Sequence, residues 1–215
     1  MFGAIMKLYN YWRSSTSYRV RIALAIKGLA YDYVPVNLLK GEQNAAEYLR
    51  LNPSGGVPTL VDGDLVIAQS LAIIDYLDRA YPQHPFLPDD ARARARVLQI
   101  AHIVATDMHQ FANLPVLNYI GERLGDDEKP KWVAHWFAPA LDAMEQILAA
   151  GPRGDFCHGD SPTLADICLI PQLFAARRFN VDLNPYPNIV RIDANCAAHL
   201  AFAMAHPSKQ PDAVL

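Results

Sequence analysis

The 215-residue chain is poor in cysteine, with only Cys157, Cys168 and Cys196. An odd number of thiols far apart in sequence suits neither a disulfide framework nor a zinc site, so free thiols in a reducing, cytoplasmic setting are expected. An excess of either charge sign is also missing: 19 Lys and Arg face 22 Asp and Glu, for a formal net charge of -3. That balance gives no electrostatic footprint for nucleic acid or an anionic membrane. No apolar run approaches the roughly 20 residues of a membrane span. The MFGAI lead lacks the basic and apolar regions of a signal peptide and reads as preceding a second start at Met6. There is no GxGxxG, P-loop, HExxH or GxSxG, and the seven histidines have no partners at ligand spacing, so no metal or nucleotide is expected. Small-molecule or protein partners remain.

What is present is a hydrophobic content of 52%, enough to bury a sizeable core, and two segments of different grammar. They meet at YPQHPFLPDD, residues 81–90, where Pro82, Pro85 and Pro88 cannot continue a helix or fill a sheet interior. Residues 1–85 form one domain in this reading and 91–215 a second. In the first, strand signals at 6–11 and 31–38 flank a helix at 15–27 closed by Gly28. A short helix at 41–52, two strands in 57–70 joined at Asp62-Gly63, and a helix at 70–81 with Ser70 as N-cap follow. Strand-helix-strand implies a parallel pair, and the closing hairpin makes the sheet mixed. The second domain reads as helical throughout: 91–124, bent or split at Pro115, then 131–150 interrupted at Pro139, then 161–179 and 188–205. The fold class is therefore α/β followed by an all-α bundle.

Chemistry concentrates at the first helix start, where Ser14, Ser15 and Thr16 follow Arg13. Open amides and the positive dipole end stabilise an anion there, and hydroxyls add donors. A thiolate would gain: lowering a thiol pKa by ~2 units takes about 2.7 kcal/mol, within reach of one or two hydroxyl donors plus the helix end. A plain N-cap is the alternative for Ser14 or Ser15. Val57-Pro58 precedes the third strand, where a cis bond would turn the Val57 backbone outward to pair with an extended peptide; alone, such a dipeptide is a turn. Gln69-Ser70, at another helix start, suits a carboxylate or serves as a simple cap.

Together, RSSTSYRVRIAL, NPSGGVPTL, QSLAIIDYL and PTLADICLIPQ resemble the zeta class of glutathione transferases, which includes maleylacetoacetate and maleylpyruvate isomerases. The resemblance runs from Met6 to HPSKQPDA and implies a thioredoxin-like N-terminal domain with a mixed four-stranded sheet, an all-helical C-terminal domain and a homodimer. It further implies that Ser14 and Ser15 hold and activate the glutathione sulfur, with Thr16 where Cys or Ala is common. Gln43, Val57, Gln69 and Ser70 would bind the tripeptide, and Asp107, His109 and Asn113 would reach the γ-glutamyl end from the neighbouring subunit; for Asp107 and His109 an exposed polar helix face is the alternative. Arg13 and Arg178 hold positions resembling those that bind substrate carboxylates, where a guanidinium pairs bidentately and keeps its charge; Arg177 or a helix-end role competes at 178.

The implied activity is glutathione-dependent cis-trans isomerisation of a dicarboxylate maleyl keto acid in aromatic breakdown. Conjugation or dehalogenation of small electrophiles such as α-halo acids, and a non-catalytic binding module, are the alternatives. Thr163 and Asp166 have capping-box spacing and are read as structural, as are the cysteines. Asn113-Leu114-Pro115 departs from the family's usual arginine-containing triplet, which removes one anion contact.

Overall fold

The computed structural model describes residues 5–214, so the first four residues of the MFGAI lead lie outside the described residues. Contacts group the chain into two units, one running to Pro85 and resuming at Leu200, the other Phe86–His199.

The first unit opens with β1 (Met6–Asn10), whose Leu8 is fully buried between its neighbours. A parallel partner needs a crossover, and α1 (Ser15–Lys27) supplies it on the way to β2 (Tyr31–Pro35). Gly28 ends α1 at φ 66°, a left-handed value that glycine takes without a Cβ clash. The sequence-expected helix over 41–52 is broken: Asn37 caps a 3-10 turn at Leu38–Lys40, Gly41 reverses the chain at φ 74°, and Glu42–Asn44 forms a second turn. Only Ala46–Leu51 is α-helix (α2). β3 (Thr59–Asp62) and β4 (Leu65–Ala68) form the hairpin expected at Asp62-Gly63. The mixed sheet has the order β2-β1-β3-β4, and α3 (Ser70–Ala80) follows. Fully buried Val20, Ile22 and Leu24 of α1, Leu60 of β3, and Ile73 and Leu77 of α3 make its core.

In the second unit, α4 (Ala91–His102) runs into a π-helical turn at Ile103–Met108 and a 3-10 turn at His109–Ala112 before α5 (Leu114–Leu124). The expected split near Pro115 is there, with the proline in the first turn of α5, where its missing N–H costs nothing. Pro139 does not interrupt its helix: α6 runs Glu128–Ala150. Pro139 and His135, one turn earlier, are both on the exposed side, so the one lost backbone bond faces water. α7 (Leu164–Arg178) is almost wholly buried, and α8 spans Pro187–Ala198. The Thr163–Asp166 capping box forms as expected, and Asp166 also accepts from the Cys157 amide at 2.7 Å. All three cysteines are buried, and burial pushes the Cys157 thiol well up, which suits packing and not nucleophilic chemistry.

The helix expected over 188–205 is two. The chain turns extended at His199, and α9 (Leu200–Ala205) belongs to the first unit. Residues 200–214, placed by the sequence reading in the helical half, pack on α1: Arg21 Nε donates to Ala205 O at 3.1 Å and Tyr18 Oη to Phe202 O at 3.4 Å. Among the described residues no helix is long and apolar enough to cross a membrane, and no group of three or more His, Cys, Asp or Glu could hold a metal ion.

Candidate active site

Strand register brings three connections to one end of the sheet. Tyr9 pairs with Thr59, and Thr59 with Ala68. The segment after β1 (Arg13–Thr16), the one before β3 (Val57-Pro58) and the one after β4 (Gln69-Ser70) therefore leave the sheet side by side. A hydrogen bond joins two of them: Thr16 Oγ1 donates to Val57 O at 2.8 Å.

That bond orders the hydroxyl cluster. Thr16 has one hydroxyl proton and a carbonyl cannot donate, so across the 2.9 Å contact between Ser14 Oγ and Thr16 Oγ1 the donor is Ser14. Ser14 is also the N-cap of α1, accepting from the Ser17 amide at 3.2 Å. Ser15 differs: it is only 9% exposed, and its hydroxyl has no partner among the described residues. The Ser15 and Thr16 amides are likewise open, and no acidic residue stands in the first turn of α1. An anion arriving here meets two amides, a helix N-terminus and the Ser15 proton, with Ser14's available in exchange for Thr16.

The Val57–Pro58 peptide is cis. Its carbonyl, expected to be open, already accepts from Thr16, while the Val57 amide has no acceptor among the described residues. Gln43 lies in the 3-10 turn before α2, with Oε1 buried and without a donor. At the start of α3 the cap is Gln69, not Ser70. Gln69 sits at φ 72° and ψ 115°, a strained setting for a residue with a Cβ, and its side chain makes no capping bond. Ser70 is the first helical residue, 5% exposed, and its hydroxyl accepts from buried Arg19 at 3.4 Å. The first turn of α3 has no acid, which leaves its amides for a carboxylate.

Arg13 is half-buried, its guanidinium 5.8 Å from the Trp12 ring centroid. In the second unit, Asp107 is exposed on the π-helical turn and accepts from Thr106 Oγ1 at 2.7 Å. His109 opens the following 3-10 turn. Asn113 caps α5, accepting from Val116 N at 3.1 Å, which gives it a structural task whatever else it does. At the end of α7, Arg177 pairs with Asp193 at 2.5 Å, and Arg178, exposed, stands over the Phe179 ring at 5.1 Å. Arg177 thus ties α7 to α8.

Two family descriptions match the chain: glutathione S-transferase, N-terminal domain, over residues 4–79, and glutathione S-transferase, C-terminal domain, over 127–201. A maleylacetoacetate isomerase of Pseudomonas aeruginosa is 48% identical over 96% of this chain and 98% of its own length. The holo structure of a maleyl pyruvate isomerase, described as a bacterial glutathione S-transferase of the zeta class, is 46% identical, superposes with a TM-score of 0.94 and covers 97% of this chain and 100% of its own. The chain belongs to the zeta class of glutathione transferases. A maleylacetoacetate isomerase of Anaeromyxobacter dehalogenans, solved with glutathione in its active site, is 43% identical with a TM-score of 0.90 over 99% of this chain and 100% of its own. The thioredoxin-like unit with a mixed four-stranded sheet and the all-helical unit are thus the glutathione transferase fold.

Zeta-class membership leaves Arg19 and Arg21 to be explained, two charges on the apolar stripe of α1 that sequence reasoning passed over. Both are at most 2% exposed. Arg21 Nη2 donates to Trp12 O at 2.9 Å and Nη1 to Asn10 Oδ1 at 3.0 Å, so it shapes the segment that carries Arg13 and the hydroxyls. The signal was a charged residue at a helix position whose neighbours, Val20, Ile22 and Leu24, all face the core.

Proposed function

We propose that this protein is a glutathione-dependent isomerase that converts a cis maleyl keto acid to its trans fumaryl isomer. The observation that carries the reading is the hydroxyl cluster: a Ser15 hydroxyl without a partner among the described residues, on a residue only 9% exposed, beside two open amides at an acid-free helix start. Such a set stabilises a thiolate in preference to a thiol. Bound glutathione supplies reversible addition of its thiolate to the conjugated cis double bond, followed by elimination after rotation about the former double bond.

The residues present fit the tripeptide. The buried acceptor Gln43 Oε1 awaits a donor, the Val57 amide awaits an acceptor, and the open α3 start at Gln69-Ser70 suits the carboxylate of the γ-glutamyl end. Thr16 ties the Val57 turn to α1, so the sulfur site and the peptide-backbone site move as one piece. Arg13, half-buried beside the cluster and without an acidic partner among the described residues, orients a substrate carboxylate, and Arg178 takes a second. Both arginines also favour the negative charge that develops on the substrate's carbonyl side. The assembly in this reading is a homodimer in which exposed Asp107 and half-buried His109 serve the neighbouring glutathione. Three buried free thiols suit a reducing compartment such as the cytoplasm.

The test is turnover of maleylacetoacetate and maleylpyruvate with sub-stoichiometric glutathione. Isomerisation of many equivalents with no loss of free thiol is expected. Thiol loss matching product would instead mark a conjugating or dehalogenating transferase.

A further inference from the structure

The backbone amides and carbonyls of Tyr11 and Trp12, just before the hydroxyl cluster, are all held. Tyr11 N donates to Ser17 Oγ at 3.3 Å; Tyr11 O accepts from Ser14 N at 3.0 Å and from Arg21 Nη1 at 3.4 Å; Trp12 O accepts from Arg21 Nη2 at 2.9 Å. These anchors all come from the same stretch of chain. The last one does not: Trp12 N donates to Asp212 Oδ2 at 3.2 Å, two hundred residues away. The other carboxylate oxygen of Asp212 accepts from Tyr33 Oη on β2, so the acid is itself fixed to the sheet. Burial and this carboxylate together push the Tyr33 phenol far up, keeping it a donor. Trp12 is clamped through both its flanking peptides, by Arg21 at its carbonyl and by Asp212 at its amide.

We propose that Asp212 is a positioning residue for the thiolate site. It holds the Trp12 peptide in the orientation that sets Arg13 over the Trp12 ring and Ser14 in its cap, and so fixes where the Ser14 and Ser15 hydroxyls point. Without it the Trp12 amide loses its acceptor and the Tyr11–Trp12 peptide is held only through Tyr11 O, so it tilts further and the hydroxyls lose alignment on the sulfur while the sheet and α1 remain. This inference rests on the isomerase reading.

The experiment uses the full-length protein carrying D212A, D212N and Y33F, with thermal melts, the ultraviolet absorbance of bound thiolate against pH, and the pH profile of kcat. In D212A the bound-thiol pKa and the profile should move to alkaline pH by about one unit, a roughly tenfold loss on the acidic side from a weakened bond to a charged group, with the alkaline plateau kept. D212N, whose amide oxygen still accepts from Trp12, should stay within about twofold of wild type, and Y33F should fall between. A D212A protein that melts lower but keeps the wild-type thiol pKa and profile overturns the clamp alone. Wild-type protein that binds glutathione with an ordinary thiol pKa overturns both the clamp and the isomerase reading. Should D212A not fold, Y33F with an unshifted profile overturns the clamp, and Y33F with a shifted profile supports it.

Discussion

Replacing Ser15 with alanine removes one hydroxyl donor from the thiolate site and nothing else of weight, because its oxygen makes no hydrogen bond among the described residues. A hydrogen bond to a charged group contributes about 1.5–3 kcal/mol, and each pKa unit corresponds to about 1.4 kcal/mol. Ser15 is only 9% exposed as a residue but its hydroxyl, unpartnered among the described residues, reaches solvent, so the low end of that range applies. Starting from a thiol of about 8.5 lowered to about 6.5 in the site, S15A should raise the bound value to about 7.5. The ionised share near neutral pH then falls from about three quarters to about one quarter, roughly a threefold loss of rate that disappears in alkali. S14A acts differently. It removes a donor that must first leave Thr16 and also deletes the cap on Ser17 N, so it should cost about 1 kcal/mol of stability that S15A spares. The double variant should approach a thiol pKa of about 8, held down only by the helix-end amides. Titrating the thiolate absorbance of the glutathione complexes, with melts alongside, reads all three. A double variant titrating with wild type would refute the reasoning.

Arg178→Ala should raise KM for the keto acid by roughly tenfold to a hundredfold while leaving glutathione affinity unchanged, the cost of one charge-assisted carboxylate pair. Arg177→Ala, which breaks a half-exposed pair with Asp193, should cost under about 1 kcal/mol of stability and leave KM alone; the reverse pattern in steady-state kinetics would exchange their roles. Asp166→Ala leaves the Cys157 amide and both Thr163 donors without their acceptor in the core, so calorimetry should show a loss of about 3 kcal/mol or more, against about 1 for T163A. His206 has its pKa lowered by burial and then by Arg21 and Lys209, and its Nδ1 accepts from Ser208 N at 3.2 Å. The fold therefore disfavours the protonated ring: stability is full above the unfolded pKa of about 6.5 and is lost as pH falls through the lower folded value. Melts of wild type and H206N at mildly acidic and neutral pH should show the larger acid loss in wild type.

Much of this was legible because it is local. Gly28, Asp62-Gly63 and Thr163–Asp166 each announce an element end through residues within four positions of one another, and each forms. Positions of polar contacts were harder. Whether Ser14 or Ser15 has a spare proton depends on Thr16 facing Val57, 41 residues on, and no spacing rule carries that. The helix over 41–52 is interrupted at Ala45, whose extended backbone (ψ 138°) separates the 3-10 turn Glu42–Asn44 from α2, and an alanine gives no local sign of such a break. The return of residues 200–214 to α1 was invisible because it depends on Arg21 reaching Ala205 across 184 residues. Pro139 shows the opposite error: a strong local breaker was tolerated because the bond it removes lies on the wet side of α6.

The most direct measurement is a crystal structure of the protein grown with glutathione. The sulfur should lie about 3.0–3.5 Å from the Ser15 hydroxyl, at the amide end of α1, with the γ-glutamyl carboxylate at the start of α3. A tripeptide bound with its sulfur beyond hydrogen-bond reach of both Ser14 and Ser15 would contradict the thiolate cradle and the mechanism built on it.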